Sequence, residues 1–147
     1  MSYIQCYYHI VLRTKNSEKS LSQNKITDLY KYIWGITEKK KCYLYRINGM
    51  EEHLHLCISL HPSIALADFV KSVKVSANLW MKSREDFKNF DNWSEGYFAC
   101  TCGHKDRHNL INYVKSQQEH HKKESFRDEM IRLFKEAGLD FDERFLL

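Results

Sequence analysis

The sequence has little proline and glycine and no long apolar segment. One proline and five glycines occur in 147 residues, which excludes a collagenous or low-complexity chain. No apolar run approaches the ~20 residues that a membrane-spanning helix needs. The polar start MSYIQCYYH also lacks the basic and apolar regions of a signal peptide. We therefore expect a cytoplasmic protein without a membrane partner.

The five cysteines are scattered along the sequence and form no recognisable framework. The five cysteines are odd in number and form no CxxC pair, so neither a disulfide scaffold nor a zinc ribbon is favoured. We predict that they are buried thiols. They are Cys6, Cys42, Cys57, Cys100 and Cys102.

The remaining composition is that of an ordinary globular protein with a mild positive charge. Hydrophobic residues make up 43% and aromatic residues 14% of the chain. A chain of this length buries roughly 68–70% of its unfolded surface, so its core needs no disulfide or metal. The 23 Lys and Arg residues exceed the 19 Asp and Glu residues, for a formal net charge of +4. That charge permits nucleic acid as a partner without requiring it.

Hydrophobic periodicity predicts six elements in the order β-α-β-β-α-β. Alternating side chains predict a first strand at Gln5–Thr14, and apolar residues at helical spacing predict a helix from Ile26 to the Lys39–Lys41 run. The other predicted elements are a strand at Cys42–Ile47, a tight turn at Asn48-Gly49, a strand at His53–Leu60, a helix from Pro62-Ser63 to about Arg84, a loop at Glu85–Asn92 and a strand at Tyr97–Cys102.

This order predicts an α+β fold of the ferredoxin-like type, an antiparallel sheet with two helices on one face and the other face open for a ligand. We assign residues 1–147 to one domain, with its core at 3–103. Two further helices are expected at 104–147. One covers Asp106–Lys122, and the last begins with a capping box at Ser125 and Asp128 and stops at Gly138.

The sharpest local feature is the pair His53 and His55 within the strand HLHLCISL. Strand side chains alternate, so both imidazoles point to one side, roughly 6.6–6.8 Å apart along the strand and within reach of one metal ion. Leu54 faces the opposite way, so we expect the histidines on the open face. Glu52 can orient an imidazole N–H. Two partly exposed histidines without a ligand are the alternative.

A second pattern pairs Tyr113 with Gln117 on the predicted helix. Residues four apart lie on one helix face. A tyrosine hydroxyl is a poor nucleophile at its free pKa of ~10, but near a divalent cation it can attack a phosphodiester. Gln117 could then supply an oxygen ligand to the cation. A structural tyrosine with a half-buried ring is the alternative.

Together these segments resemble the HUH single-tyrosine transposases of small bacterial insertion sequences, which move as single-stranded DNA. The resemblance spans nearly the whole chain and lies in YYHIVLRTK, EEHLHLCISL, SIALADFVKSVKVSANLW, WSEGYFACTCG, LINYVKSQQEHH and SFRDEM. It implies that His53, His55 and Gln117 hold Mg²⁺ or Mn²⁺, although two imidazoles alone would also suit Zn²⁺. It also implies that Tyr113 attacks single-stranded DNA to give a 5′-phosphotyrosine link and a free 3′-OH. Glu52 stands where the family often has Asp.

The resemblance further implies a bacterial cytoplasmic homodimer, in which tyrosine helices can be exchanged, and a DNA hairpin at the element's end as partner. The basic residues predicted to contact phosphates, or else to be surface charges, are Lys71, Lys74, Lys82, Arg84 and Lys105. His9 is assigned a packing or supporting role. His104, His120 and His121 are interpreted as surface histidines.

Two other functions are compatible with the same residues. The first is a non-catalytic or domesticated module that binds single-stranded or hairpin nucleic acid, since ferredoxin-like sheets often present aromatic side chains to single strands. This alternative predicts surface aromatics on the first and third strands, where the chain has His53 and His55. The second is a related HUH enzyme of plasmid replication or conjugation, a class whose members are usually larger.

Overall fold

Four antiparallel strands form the central sheet of the computed structural model, which describes residues 1–146, the last two by their backbone alone. The strands are β1 (Tyr7–Arg13), β2 (Tyr43–Gly49), β3 (His53–Ser59) and β4 (Phe98–Cys102). Their order in the sheet is β2-β3-β1-β4. Two helices follow β1 and β3, so the predicted α+β ferredoxin-like fold is confirmed.

Within the described part of the chain, five α-helices pack around the sheet. They are α1 (Ile26–Lys39), α2 (Leu66–Lys82), α3 (Arg107–Lys115), α4 (Gln117–His120) and α5 (Phe126–Glu136). Short 3₁₀ turns lie at Lys15–Ser17, Gln23–Lys25, Glu85–Phe87, His104–Asp106 and Glu143–Leu146. Over residues 1–146, none of the helices has the length and apolar character needed to cross a membrane.

One face of the sheet carries the main apolar core under α1 and α2. Leu54, Leu56 and Ile58 of β3 point to this face and have no exposed surface. They pack with side chains from both helices, such as Leu29 and Phe69. Each fully buried side chain of this type stabilises the fold by roughly 1.5–3 kcal/mol. The alternation of β3 therefore forces its other side chains onto the opposite face.

That opposite face is covered, so the expectation of an open face is wrong. A second apolar cluster joins Val11 of β1 and Phe98 of β4 to Met130 and Leu133 of α5. The apolar side chains on this face favour a cover, and α5 supplies it with an amphipathic stripe. The histidines predicted on an open face are consequently buried.

The β2–β3 connection also differs from the prediction. Asn48 and Gly49 do not form the turn; they belong to β2 and pair with His55 and Leu54. The chain reverses just after them, and Met50 N–H donates to the carbonyl of His53 at 3.0 Å. A local Asn-Gly signal failed here because the Asn48 side chain is bonded to Gln118 and to the carbonyl of Lys115.

Two other sequence predictions need correction. The residues Pro62-Ser63 precede α2 in a turn closed by Ile64 N–H to the carbonyl of His61 at 3.0 Å, and α2 itself begins at Leu66. The cysteines are all free thiols, but Cys6 is exposed, and only two are fully buried. The buried pair is Cys42 and Cys57, while Cys100 and Cys102 are half-buried.

The close approach at Gly49 predicts a stability difference between two glycines. An added Cβ at Gly49 would overlap the His53 carbonyl oxygen and lie 2.9 Å from Leu54 Cα, whereas at Gly35 in α1 nothing lies within 4 Å. Gly49→Ala should lower the free energy of unfolding by about 1–3 kcal/mol. Gly35→Ala should raise it by about 0.5–1 kcal/mol, because glycine weakens a helix interior. Urea unfolding measures both, and an unchanged midpoint for Gly49→Ala would contradict the hairpin geometry.

Candidate active site

The buried carboxylate of Glu129 lies at the centre of a polar cluster on the second face of the sheet. Its Oε1 atom lies 3.2 Å from His55 Nε2, 3.1 Å from His121 Nε2 and 3.6 Å from His53 Nε2. Its Oε2 atom accepts hydrogen bonds from the Tyr113 hydroxyl and from Gln117 Nε2, the latter at 3.1 Å. Strand β3 and helices α3, α4 and α5 therefore converge on one carboxyl group.

Glu129 and His121 were both missed by the sequence interpretation. His121 was taken as a surface histidine, but its side chain is only 8% exposed and contacts both Glu129 and Gln117. The burial of Glu129 could have been inferred from the sequence, because Glu129 lies with Met130 on the apolar stripe of α5. A glutamate within an apolar stripe needs buried partners.

The helix predicted for Asp106–Lys122 is broken, contrary to expectation. Ser116 has non-helical backbone angles, φ −98° and ψ 22°, and separates α3 from α4. Gln117 nevertheless reaches the cluster, because its Oε1 atom lies 3.2 Å from His53 Nε2. The side chains of Tyr113 and Gln117 are therefore joined by their shared hydrogen-bond acceptor, Glu129 Oε2, although they do not lie on one continuous helix.

The two strand histidines are each oriented by a partner on their Nδ1 side. His53 Nδ1 lies 2.7 Å from Glu52 Oε1, and the Glu52 carbonyl is held by Thr14 N–H at 2.9 Å. His55 Nδ1 lies 2.7 Å from His9 Nε2 on the neighbouring strand. Both histidines consequently direct Nε2 toward Glu129.

Burial sets the charges in this cluster. Burial lowers the pKa of His55 to about 4, although its hydrogen bond to Glu129 opposes the shift. Burial and the neighbouring His55 lower the pKa of His9 to about 3. Burial alone would raise the pKa of Glu129, but its hydrogen bonds to His121 and His55 hold that pKa below the usual range. At neutral pH the carboxylate is therefore charged, and His9 and His55 are neutral.

The Tyr113 hydroxyl lies between an acceptor and a cation. Burial and the hydrogen bond to Glu129 raise the pKa of Tyr113, whereas Arg132 opposes this rise. Arg132 Nη2 donates to the Tyr113 oxygen at 2.8 Å and is itself fixed by Glu124 at 2.9 Å. A negative charge on the Tyr113 oxygen would therefore face a guanidinium.

The donor atoms in the cluster suit a divalent metal ion. Ligand atoms of His53, His55 and Glu129 all lie within 4.8 Å of one another, and the Gln117 amide oxygen is next to His53. Two imidazoles with a carboxylate and an amide oxygen are compatible with first-row ions such as Mn²⁺, while Mg²⁺ prefers oxygen ligands. The residues present thus fit such an ion.

Comparison with known proteins identifies the family. The family model described as "Transposase IS200 like" matches residues 2–117. The chain belongs to the IS200-like transposase family. Glu129, His121 and Arg132 lie beyond the matched residues. A comparison with curated proteins gives no match.

Two solved structures share the fold of this transposase. A candidate transposase from Deinococcus radiodurans is 20% identical, with 79% of this chain and 93% of that chain covered and a TM-score of 0.61. A REP-associated tyrosine transposase bound to a REP hairpin is 13% identical, with 79% and 68% covered and a TM-score of 0.60. At these identities the likeness establishes the fold alone.

The basic residues predicted to contact DNA fall into two groups in the transposase. Lys74 and Arg84 have partners within the chain: Lys74 Nζ donates to the carbonyls of Ser94 and Gly96 at 2.9 and 2.6 Å, and Arg84 pairs with Asp28 and Asp86. The exposed residues are Lys71, Lys82 and Lys105.

The remaining predicted surface histidines differ in their surroundings. His104 is exposed, and its Nδ1 lies 2.8 Å from the Tyr7 hydroxyl. His120 is half-buried, with its ring centroid 4.6 Å from that of Tyr113.

The altered pKa values predict that acid destabilises the protein when no metal ion is present. Below pH 6.5 the unfolded chain protonates His9 and His55, but the folded chain does so only near pH 3 and 4. Stability should therefore fall as pH drops from 6.5 to 4, by about 1.4 kcal/mol per pH unit for each histidine. The lowered pKa of Glu129 also makes the folded state less stable as pH falls below 4.5.

His121 has the opposite effect, because its pKa is raised in the folded protein. It stabilises the folded state below pH 6.5, and this stabilisation is lost as pH rises through the pKa of His121 in the folded protein.

Urea unfolding in EDTA from pH 4.5 to 7 measures this dependence. His9→Gln should reduce the slope of unfolding free energy against pH by the amount that corresponds to about one bound proton. His104→Gln, at an exposed position, serves as the control. A flat profile for the unchanged protein would contradict the neutral state of the buried histidines.

Proposed function

We propose that this transposase cleaves and rejoins single-stranded DNA at the ends of an insertion sequence, with Tyr113 as the nucleophile. The observation that carries the proposal is the convergence of Tyr113, His53, His55 and Gln117 on the Glu129 carboxylate. A structural tyrosine needs no such surroundings. A nucleophile needs an acceptor for its proton and a cation near its oxygen.

The chain's own residues account for the proton and the charge in the first step. As the Tyr113 oxygen attacks, its proton leaves along the existing hydrogen bond to Glu129 Oε2 and passes on to water, because the low pKa of that carboxylate does not retain it. The Tyr113 oxygen then forms a bond to phosphorus, the bond from phosphorus to the 3′ oxygen breaks, and that oxygen takes up a proton from water. Arg132 stabilises the negative charge that develops on the tyrosine oxygen. The resulting phosphotyrosine ester lets a 3′-OH reverse the step and join strands.

His53, His55 and Gln117 are proposed to hold Mg²⁺ or Mn²⁺, with Glu129 as an additional ligand that the sequence did not indicate. When bound, the ion polarises the scissile phosphate. Glu52 and His9 have a supporting role, because their contacts to the Nδ1 atoms leave each Nε2 facing the carboxylate. Exchange of tyrosine helices between two subunits stays a prediction.

The DNA partner is proposed to include a hairpin, since one structural neighbour is described as bound to a REP hairpin. Among the predicted phosphate contacts, the exposed Lys71, Lys82 and Lys105 are available without rearrangement. Lys74 and Arg84 would first have to leave their partners in the chain. A homodimer stays a prediction.

The proposed ligand set predicts how Mn²⁺ binding depends on one carboxylate. Glu129→Gln keeps the size of the side chain but removes its charge, so the Mn²⁺ affinity should fall at least ~10-fold. Electron paramagnetic resonance of free Mn²⁺ during titration measures this affinity. Glu119→Gln on α4 is the control, because Glu119 is 74% exposed and pairs with Lys122 on the surface. Equal affinity in both variants would exclude Glu129 as a ligand.

The proposed nucleophile predicts a covalent adduct with DNA. The protein is incubated with labelled single-stranded DNA from the flanks of its own gene, with Mn²⁺ or Mg²⁺, and denaturing gels are run. Wild type should form a metal-dependent adduct that Tyr113→Phe and EDTA abolish. Tyr43→Phe, at a 62% exposed position, should retain it. Hairpin binding without an adduct under either metal would instead indicate a non-catalytic or domesticated binding module.

A further inference from the structure

A groove beside the edge strand β2, which we call the β2 groove, has no part in the chemistry above. It has a volume of about 570 Å³ and lies between α1, β2 and the junction of α3 with α4. The lining residues used below are Lys31, Trp34, Tyr45, Arg46, Asn48 and Lys115.

All the charged side chains that line the β2 groove are positive. Lys31, Arg46 and Lys115 line it, and none of its described lining residues is Asp or Glu. Among the described side chains, these three cations form no ion pair. Three unneutralised cations in one groove attract a polyanion.

One exposed aromatic ring lies among these cations. Trp34 on α1 is 51% exposed, an unusual state for so large an apolar side chain. Tyr45 on β2 is half-buried, and its ring packs 4.6 Å from that of Tyr43 and 5.6 Å from that of Tyr7 between centroids. An exposed ring beside cations is the combination that binds an unpaired base by stacking and its phosphates by charge.

The β2 groove is adjacent to the active site. Asn48 lies on its wall and pairs directly with His55 across the β2–β3 ladder. The Asn48 side chain also donates to the carbonyl of Lys115 at 3.0 Å, two residues beyond Tyr113. A strand that reaches Tyr113 can therefore continue into the groove.

We propose that the β2 groove binds unpaired nucleotides of the DNA strand that Tyr113 cleaves, with phosphates against Lys31, Arg46 and Lys115 and a base stacked on Trp34. That the bound strand is the one cleaved by Tyr113 rests on the proposed function. That the groove binds single-stranded DNA is independent of the proposed function, because such binding needs neither the Tyr113 hydroxyl nor a metal ion. A blunt duplex lacks free base faces and is expected to gain little from Trp34.

The test measures fluorescence anisotropy of a labelled 12-nucleotide oligo-dT with the full chain carrying Tyr113→Phe, in EDTA, so that cleavage cannot contribute. Replacing both Arg46 and Lys115 by Ala should weaken binding at least ~10-fold and reduce the dependence of log K on log salt by about 1.4, or 0.7 for each lost phosphate contact. Trp34→Ala should weaken binding at least ~5-fold through lost stacking.

Control variants remove a cation or an aromatic ring from exposed positions outside the groove. Lys39→Ala and Lys88→Ala remove exposed lysines outside the groove, and Tyr3→Ala removes a 90% exposed ring; the affinity of each control should stay within 2-fold of the parent. Because the substituted groove residues are largely exposed, urea unfolding should give midpoints close to that of the parent. Trp34→Phe, which keeps a ring, should bind more tightly than Trp34→Ala.

The outcomes separate this proposal from the proposed function. Unchanged oligo-dT affinity in the groove variants, or an equal loss of affinity for a blunt duplex of the same length, overturns the groove proposal even if wild type forms the tyrosine adduct. Weaker single-strand binding in those variants supports the groove even if no adduct forms, in which case the proposed function alone fails.

Discussion

The carboxylate of Glu129 is the group on which the arrangement of the second sheet face depends. It is charged at neutral pH and has no exposed surface. A buried charge is tolerated only when it is paired and fully hydrogen-bonded. Here the partners come from β3, α3 and α4, and the carboxylate itself comes from α5. The same contacts that satisfy Glu129 therefore bring the tyrosine, the histidines and the glutamine together.

The sheet has two faces with different functions, and β3 separates them. Leu54 and Leu56 anchor the apolar core under α1 and α2, while His53 and His55 enter the polar cluster on the other side. Because strand side chains alternate, a shift of register by one residue would exchange the two sets. The packing of the core thus fixes the direction in which the histidines point.

Much of the fold could be predicted from local patterns. Hydrophobic periodicity predicted the strand containing His53 and the helices α1 and α2. The structure confirms these three elements and buries their apolar residues in the core. Periodicity alone could not assign roles to Tyr113 or Gln117. Those roles came from the resemblance to a family and remain proposals.

The errors have a common physical origin in contacts between distant residues. Asn48-Gly49 carries the local signal of a turn, but its side-chain partner Gln118 lies seventy positions away. His121 resembles a solvated histidine until α5 is packed on the sheet, and the place of Glu129 on the apolar stripe of α5 does not by itself reveal its partners. The covered face was missed because no short segment reveals which surface an amphipathic helix will bury.

Anomalous diffraction at the manganese absorption edge, from crystals of the wild-type protein grown with Mn²⁺, shows directly whether the Glu129 cluster holds the metal ion. We expect one strong peak within bonding distance of His53 Nε2, His55 Nε2 and a Glu129 oxygen, with Tyr113 beside it. A peak at another position, or none at this cluster in a saturated crystal, would contradict the assignment of the buried carboxylate as the organiser of a metal-dependent active site.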